Sequence, residues 1–284
     1  MHVIVTGGSS GIGLSVAKLY AGRGDRVTLL ARDLTRLEEA KAEIGSVPGV
    51  DISHIQIASV DVALAAQLSS LVESCEMSFG PCDVLIASAG VVEPMAFDAM
   101  PASVFDEQVT INLLGTANAV RAVYKGMKSR RRGKIMMISS GAALIGIFGY
   151  TAYCASKSAL SGFAEALSTE ASACGVQVSI CFPPDTLTPQ YRREVALRPV
   201  EADVLMGSVK PWSAEKVAAR IVHGLDRGRG RIHFGFSLTA LAYLGSFIKP
   251  PIFWWFSLKT RKIIEKESTK SLVHPSDRGF DHGK

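Results

Sequence analysis

The first twenty-three residues restrict this chain most. His2-Val-Ile-Val-Thr6 is a short apolar run, and Leu14 to Arg23 carries helical periodicity. Between them lies Thr6-Gly-Gly-Ser-Ser-Gly-Ile-Gly13. A strand passed straight to a helix through a tight turn is the first half of a crossover unit, which commits the next strand to lie parallel to the first. A glycine-rich turn in that position also brings backbone N–H groups and the positive end of the helix towards a phosphate. The spacing is GxxxGxG rather than GxGxxG, and an ordinary tight turn is the alternative reading of the loop taken alone.

The alternation then continues. Strands are expected at Arg26 to Ala31, His54 to Val60, Asp83 to Ala87, Lys134 to Ser139 and Val176 to Phe182. Helices are expected over Leu34 to Ile44, Leu64 to Phe79, residues 103–128, Tyr150 to Cys174 and residues 213–226. Strands alternating with helices at short spacing imply an α/β class: one doubly wound, Rossmann-type parallel sheet with helices on both faces. In such sheets ligands bind beyond the carboxyl ends of the strands. Gly13, Asp61, Gly90, Ser140 and Pro183 all fall at or beyond such ends. Residues 187–212 lack periodicity and carry Pro189, Pro199 and Pro211, so they read as a loop over the substrate. There is no internal repeat.

Chemistry is carried first by Tyr153 and Lys157, four apart on one helical face. A phenol has a reference pKa near ~10. A cation within a few Å is expected to lower it by roughly 1–3 units, making Tyr153 a proton donor to a carbonyl or an acceptor from an alcohol. Asn112 inside a helical stretch hints at a polar task, since Asn is a mediocre helix former. At the end of the second strand stands Ala31, where an acid would hold a ribose 2′-OH. Arg32 and Arg36 follow and can pair with a 2′-phosphate, which favours NADP(H) over NAD(H). Asp33 is more simply the N-cap of the next helix. The cysteines at 75, 82, 154, 174 and 181 show no CxxC pair and no metal spacing, and the histidines are scattered, so no metal site is expected. The chain enters a strand at once and shows no signal peptide.

Together, Thr6-Gly-x-x-x-Gly11-Ile-Gly13, Asn112, Ser140 and Tyr153-x-x-x-Lys157, with Ser140 thirteen positions before Tyr153, resemble the short-chain dehydrogenase/reductases over about residues 2–233. The resemblance implies hydride transfer between a nicotinamide cofactor and a carbonyl or alcohol. It implies Tyr153 as proton donor and Lys157 as holder of the nicotinamide ribose. Ser140 would bond the substrate oxygen, and Asn112 would hold a relay water. Gly7, Ser9, Ser10, Gly11, Ile12, Asp61, Val62 and Ala89 would line the cofactor, with Pro183, Thr186 and Thr188 beyond the sixth strand. The family's Asn-Asn-Ala-Gly is Ala87-Ser88-Ala89-Gly90 here, and its Pro-Gly is Pro183-Pro184. Phe182-Pro-Pro-Asp-Thr-Leu-Thr-Pro189, Leu30-Ala-Arg-Asp33 and Phe148-Gly-Tyr-Thr-Ala-Tyr153 resemble segments of the branch that reduces 3-ketodihydrosphingosine with NADPH. That branch implies a long-chain lipid ketone as substrate. A steroid, retinoid, β-ketoacyl thioester or long-chain aldehyde, or a non-catalytic NADP-binding regulator, remain the other readings. Family members are often dimers or tetramers, so a homodimer or homotetramer is expected.

The rest of the chain divides the charge unevenly. Net charge is +5, yet residues 227–284 carry 11 Lys/Arg against 4 Asp/Glu, leaving 20 against 22 before them. A nearly neutral body argues against nucleic acid, and a basic tail argues for an anionic surface, a membrane first. Mean hydropathy is +0.23, greasy for a soluble enzyme. Residues 234–258 are an apolar segment interrupted by Lys249-Pro250-Pro251, and 259–284 are a basic polar tail that frays after Ser268. Neither apolar arm reaches the ~20 residues of a spanning helix, and positive flanks on both sides place both ends on one face. A monotopic hairpin or interfacial helices, with Trp254 and Trp255 at the headgroups, is therefore expected. The alternative is a dimer contact or a lid over the pocket. The expected location is a membrane surface with the catalytic domain cytoplasmic: the endoplasmic reticulum in a eukaryote, the inner membrane in a bacterium.

Overall fold

The computed structural model describes residues 1–207 and 210–273, with side chains as far as residue 261. Seven parallel strands form the sheet: β1 (His2–Thr6), β2 (Arg26–Ala31), β3 (Ile55–Ser59), β4 (Val84–Ala87), β5 (Gly133–Ile138), β6 (Val176–Phe182) and β9 (Arg231–His233). Two short strands, β7 (Thr186–Leu187) and β8 (Trp212–Ser213), pair with each other outside it. The sheet order is β3-β2-β1-β4-β5-β6-β9. The order reverses on either side of β1, which opens a crevice above the ends of β1 and β4, where such sheets hold ligands.

The strands read as unbroken apolar runs because both faces are covered. In β1, Val3 and Val5 point into one core, with Leu29 and Ile86 of neighbouring strands, while Ile4 points into the other with Leu30 and Leu85. The first core is closed by α1 (Gly11–Ala21), α2 (Leu34–Gly45) and α9 (Ala214–Asp226). Helix α9 supplies Val217, Ile221, Val222 and Leu225 at helical spacing, all fully buried. The second core is closed by α3 (Ala65–Phe79), α5 (Gly115–Ser129) and α6 (Thr151–Ser172). Each such side chain contributes ~1.5–3 kcal/mol by burial.

Three expectations need correction. The helix expected over 103–128 is α4 (Ala102–Val109) and α5 joined by a π-helical turn, Thr110–Leu114, and Asn112 sits in that turn. The loop expected over 187–212 contains α7 (Pro189–Leu197) and α8 (Asp203–Met206). There Thr188 caps α7, its hydroxyl accepting from the Tyr191 amide at 3.1 Å, and Pro189 occupies the first helical position, where its missing N–H costs nothing. The hairpin expected around Pro250-Pro251 is absent. Helix α10 runs from Gly235 to Val273 with both prolines inside it. They remove the amide partners of the Ser246 and Phe247 carbonyls, but the turns on either side keep theirs. The helix also continues past Ser268, and residues 274–284 of the expected tail lie outside the described residues. Among the described residues, no helix is long and apolar enough to cross a membrane.

Candidate active site

The carboxyl ends of β1 to β6 converge on a cavity of about 750 Å³. Every site residue expected from sequence lines it except Asn112. The turn after β1 is built for close approach. Gly7 holds φ +66°, and a Cβ there would lie 2.8 Å from the Ala89 backbone after β4. A Cβ on Gly13 would come within 2.5 Å of the Gly7 carbonyl oxygen, so the start of α1 folds down onto the turn only as glycine. Ser10, the N-cap of α1, makes no side-chain capping bond. The first amides of α1, together with Ser9 and Gly11, are left to face the cavity, which suits a pyrophosphate. Thr6 braces the turn after β4, where the family's first asparagine is Ala87. Its hydroxyl accepts from the Ser88 and Ala89 amides at 3.2 and 3.3 Å.

The adenosine end is basic. Arg32 and Arg36 line the cavity and are exposed, and Asp33 beside them accepts from the Arg36 amide at 3.1 Å as the cap of α2. Asp61 accepts from the Ala63 amide at 2.9 Å, and the Val62 carbonyl is held by Asn118 at 3.0 Å, so this wall is braced from behind. The residues present fit a nicotinamide dinucleotide.

At the other end, α6 is pinned to the end of β5. Ser139 donates to the Lys157 carbonyl at 2.9 Å, and Lys157 Nζ donates to the Ile138 carbonyl at 3.0 Å. Nζ sits 5.8 Å from the centre of the Tyr153 ring, and the Ser140 hydroxyl accepts from the Ala142 amide at 3.1 Å. Asn112 is fully buried behind them. Its amide donates to the Val91 carbonyl (2.9 Å) and to Ser156 Oγ (3.0 Å), and its Oδ1 accepts from the Val91 amide (2.8 Å). Both amide hydrogens are thus committed to bracing Gly90-Val91 and α6, so the side chain has no donor left for a relay water. A Cβ on Gly90 would meet Asn112 Oδ1 at 3.1 Å and Lys157 Nζ at 3.2 Å, so glycine is what lets these two groups converge.

The electrostatics correct one expectation. Lys157 does not bring the Tyr153 phenol down: burial pushes that phenol up, the Glu194 carboxylate adds to the rise, and the Ser140 hydroxyl opposes it. Burial lowers Lys157 itself from 10.5 to about 8. Desolvation is the largest cause of both shifts. Tyr153 is therefore held protonated, the state a donor needs.

Sequence reasoning missed the wall facing Tyr153. Arg198, whose side chain is only 6% exposed, donates to Asp185 Oδ2 at 3.1 Å, to Glu194 Oε1 at 3.0 Å and to the Tyr150 hydroxyl at 3.1 Å, while Tyr150 donates to Glu194 at 2.8 Å. The Tyr150 and Tyr153 rings meet edge to face, 6.3 Å apart. The signal available was that Asp185 and Tyr150 both lie inside segments that carry the family resemblance, Phe182 to Pro189 and Phe148 to Tyr153. Beyond this wall the cavity is apolar, lined by Leu205, Trp212, Leu238, Leu241 and Ile252.

The family description "short chain dehydrogenase" matches residues 1–196. Among curated proteins, the chain is 38% identical over 244 residues to a 3-dehydrosphinganine reductase of Danio rerio, covering 84% of this chain and 74% of the other. It is also 38% identical over 228 residues to a 3-ketodihydrosphingosine reductase of Bos taurus, covering 80% and 69%. A solved short chain dehydrogenase/reductase family protein superposes with a TM-score of 0.71 at 26% identity, over 82% of this chain and 94% of that one.

Proposed function

The chain belongs to the short-chain dehydrogenase family of NAD(P)-binding oxidoreductases, and from that premise we propose that it reduces the ketone of 3-ketodihydrosphingosine to dihydrosphingosine with NADPH. The observation that carries the substrate is the cavity's composition: Tyr153, Ser140 and Lys157 stand between a glycine-lined cofactor cradle and an apolar arm walled by Leu238, Leu241 and Ile252 of α10. A single long alkyl chain bearing a carbonyl near its polar end fits that order. The two relatives above carry the same activity in their names. Arg32 and Arg36, with no acid at Ala31, support NADPH over NADH.

A nicotinamide held by the turn after β1 and by Lys157 would supply the hydride for the carbonyl carbon. Ser140 and the Tyr153 hydroxyl hold the substrate oxygen, and Tyr153 gives it the proton. Lys157, charged below about pH 8, orients the cofactor ribose and offers a positive charge as the phenolate forms. Burial of Tyr153 and Lys157 keeps water from competing.

Helix α10 supports a membrane-surface location on the cytoplasmic side. Leu238, Leu241 and Ile252 face the cavity, while Tyr243, Phe247 and Trp254 lie outside it and are exposed. A helix apolar on both faces needs a second apolar partner. Lys249, Lys259 and Arg261 add positive charge along it. A lipid substrate would then pass from bilayer to cavity along one helix.

Product analysis tests the reading. With 3-ketodihydrosphingosine and NADPH the protein is expected to yield dihydrosphingosine, and at least about tenfold more slowly with NADH. Absence of that product, with reduction of a steroid, retinoid or β-ketoacyl thioester, would transfer the assignment to that carbonyl.

A further inference from the structure

Two carboxylates share one guanidinium in the wall opposite Tyr153. Arg198 engages one oxygen of each, Asp185 Oδ2 and Glu194 Oε1. Among the described residues no donor falls on the remaining oxygens, Asp185 Oδ1 and Glu194 Oε2. Neither is sealed away: the buried polar atoms without partners are those of Tyr20, Tyr124, Arg130 and His233. Both acids line the cavity, so each presents one free, accessible oxygen on a residue of the catalytic wall. Asp203, the other acid near Arg198, is 3.8 Å from it and 58% exposed, and Arg193 on α7 is exposed at the cavity rim. The part-buried centre of Asp185, Glu194 and Arg198 thus carries one negative charge in excess.

That excess is felt at the reacting group. Glu194 and Asp185 both act on the Tyr153 phenol through space. Such a wall works against the charge that Lys157 offers the forming phenolate, and a positive group arriving with the substrate would offset it. The same cavity is also lined by the apolar Leu205, Leu238, Leu241 and Ile252, so a ligand matching both features is amphipathic, with a cationic head at the carbonyl and a long tail.

We propose that Asp185 and Glu194 form a recognition site for an ammonium group one carbon away from the ketone of the substrate, so that the enzyme selects α-ammonium ketones over neutral ones of equal length. This rests on the ketone-reductase reading above. The ammonium accepts no bond and donates three, and the two free oxygens supply charge-assisted acceptors without disturbing Arg198. Its charge also cancels the field on Tyr153, so recognition assists the proton transfer as well as binding.

The test compares kcat/KM, with NADPH, for two long-chain 3-ketones of equal length, one carrying a 2-ammonium group and one a 2-hydroxyl. The wild-type protein is expected to prefer the ammonium ketone by at least about tenfold, a modest share of what charge-assisted bonds supply. In Glu194→Gln and Asp185→Asn that ratio is expected to fall at least about fivefold, whatever happens to the two rates individually. A ratio unchanged in both variants would overturn the site and leave the reductase intact. Failure of the wild type to reduce either ketone would overturn the reductase reading itself. A readout free of any folding defect uses wild type alone: a long-chain alkylammonium should compete with the ketone at least about tenfold better than the alcohol of the same length. Equal inhibition by the two would overturn the proposal.

Discussion

At the scale of the residue, Tyr153 and Lys157 divide the work differently from what their spacing suggests. Tyr153 is kept protonated by burial and the charge of Glu194, while burial lowers Lys157 to about 8. Its folded value, about 8, lies below the ordinary 10.5, so the cation is present below pH 8 and lost as pH rises through it. Activity that depends on the cation must therefore fall on the alkaline side, and kcat/KM for ketone reduction is expected to bend down above pH 8. Stability runs the other way. Between about 8 and 10.5 the unfolded chain binds more protons than the folded one, so stability rises with pH there as the cost of a buried cation is relieved. A pH–rate profile beside thermal melts checks both signs. A profile flat through pH 9 would remove Lys157 from the account. The three residues at Ser140, Tyr153 and Lys157 were legible in the sequence because two share one helical face and the third ends a strand. Their electrostatics were not, because desolvation depends on what the rest of the chain stacks around them.

At the scale of the element, two helices escaped the sequence for opposite reasons. Helix α7 begins with Thr188-Pro189, where a proline starts a helix rather than breaking one. Helix α10 carries Pro250 and Pro251 in its interior, where the usual inference from proline is a break. The Asp185–Glu194–Arg198 wall was hidden for the same cause, since it joins the turn after β6 to a helix read as loop. The parallel strands were legible because residues such as Val3, Ile4 and Val5 are buried alternately into two cores and leave no polar face. Helix α10 also carries a prediction of its own. If its outward face meets lipid, the protein should float with vesicles containing anionic lipid. Changing Trp254 and Trp255, 67% and 43% exposed, to alanine should cut the bound fraction several-fold, by about tenfold at most. Flotation unchanged by the double substitution, or a dimer that buries the same residues, would assign that face elsewhere.

At the scale of the whole molecule, the sheet works as a positioning device. Its order reverses at β1, so the turn after β1 and the end of β4 open one crevice, and the ends of β5 and β6 carry Ser140 and Pro183 to its rim. The glycine turn, Arg32, Arg36 and Asp61 line it from the β1 to β3 side, while Asp185, Glu194 and Leu238 line it from the turn after β6, α7 and α10. The measurement that tests this arrangement most directly is NADPH consumption with 3-ketodihydrosphingosine by the wild-type protein and by Tyr153→Phe. The account predicts turnover in the wild type and a loss of about 10²-fold or more in the variant, the scale of general acid catalysis. Turnover by Tyr153→Phe close to that of the wild type would contradict it, because the proton would then come from a group other than the one the cavity is built around.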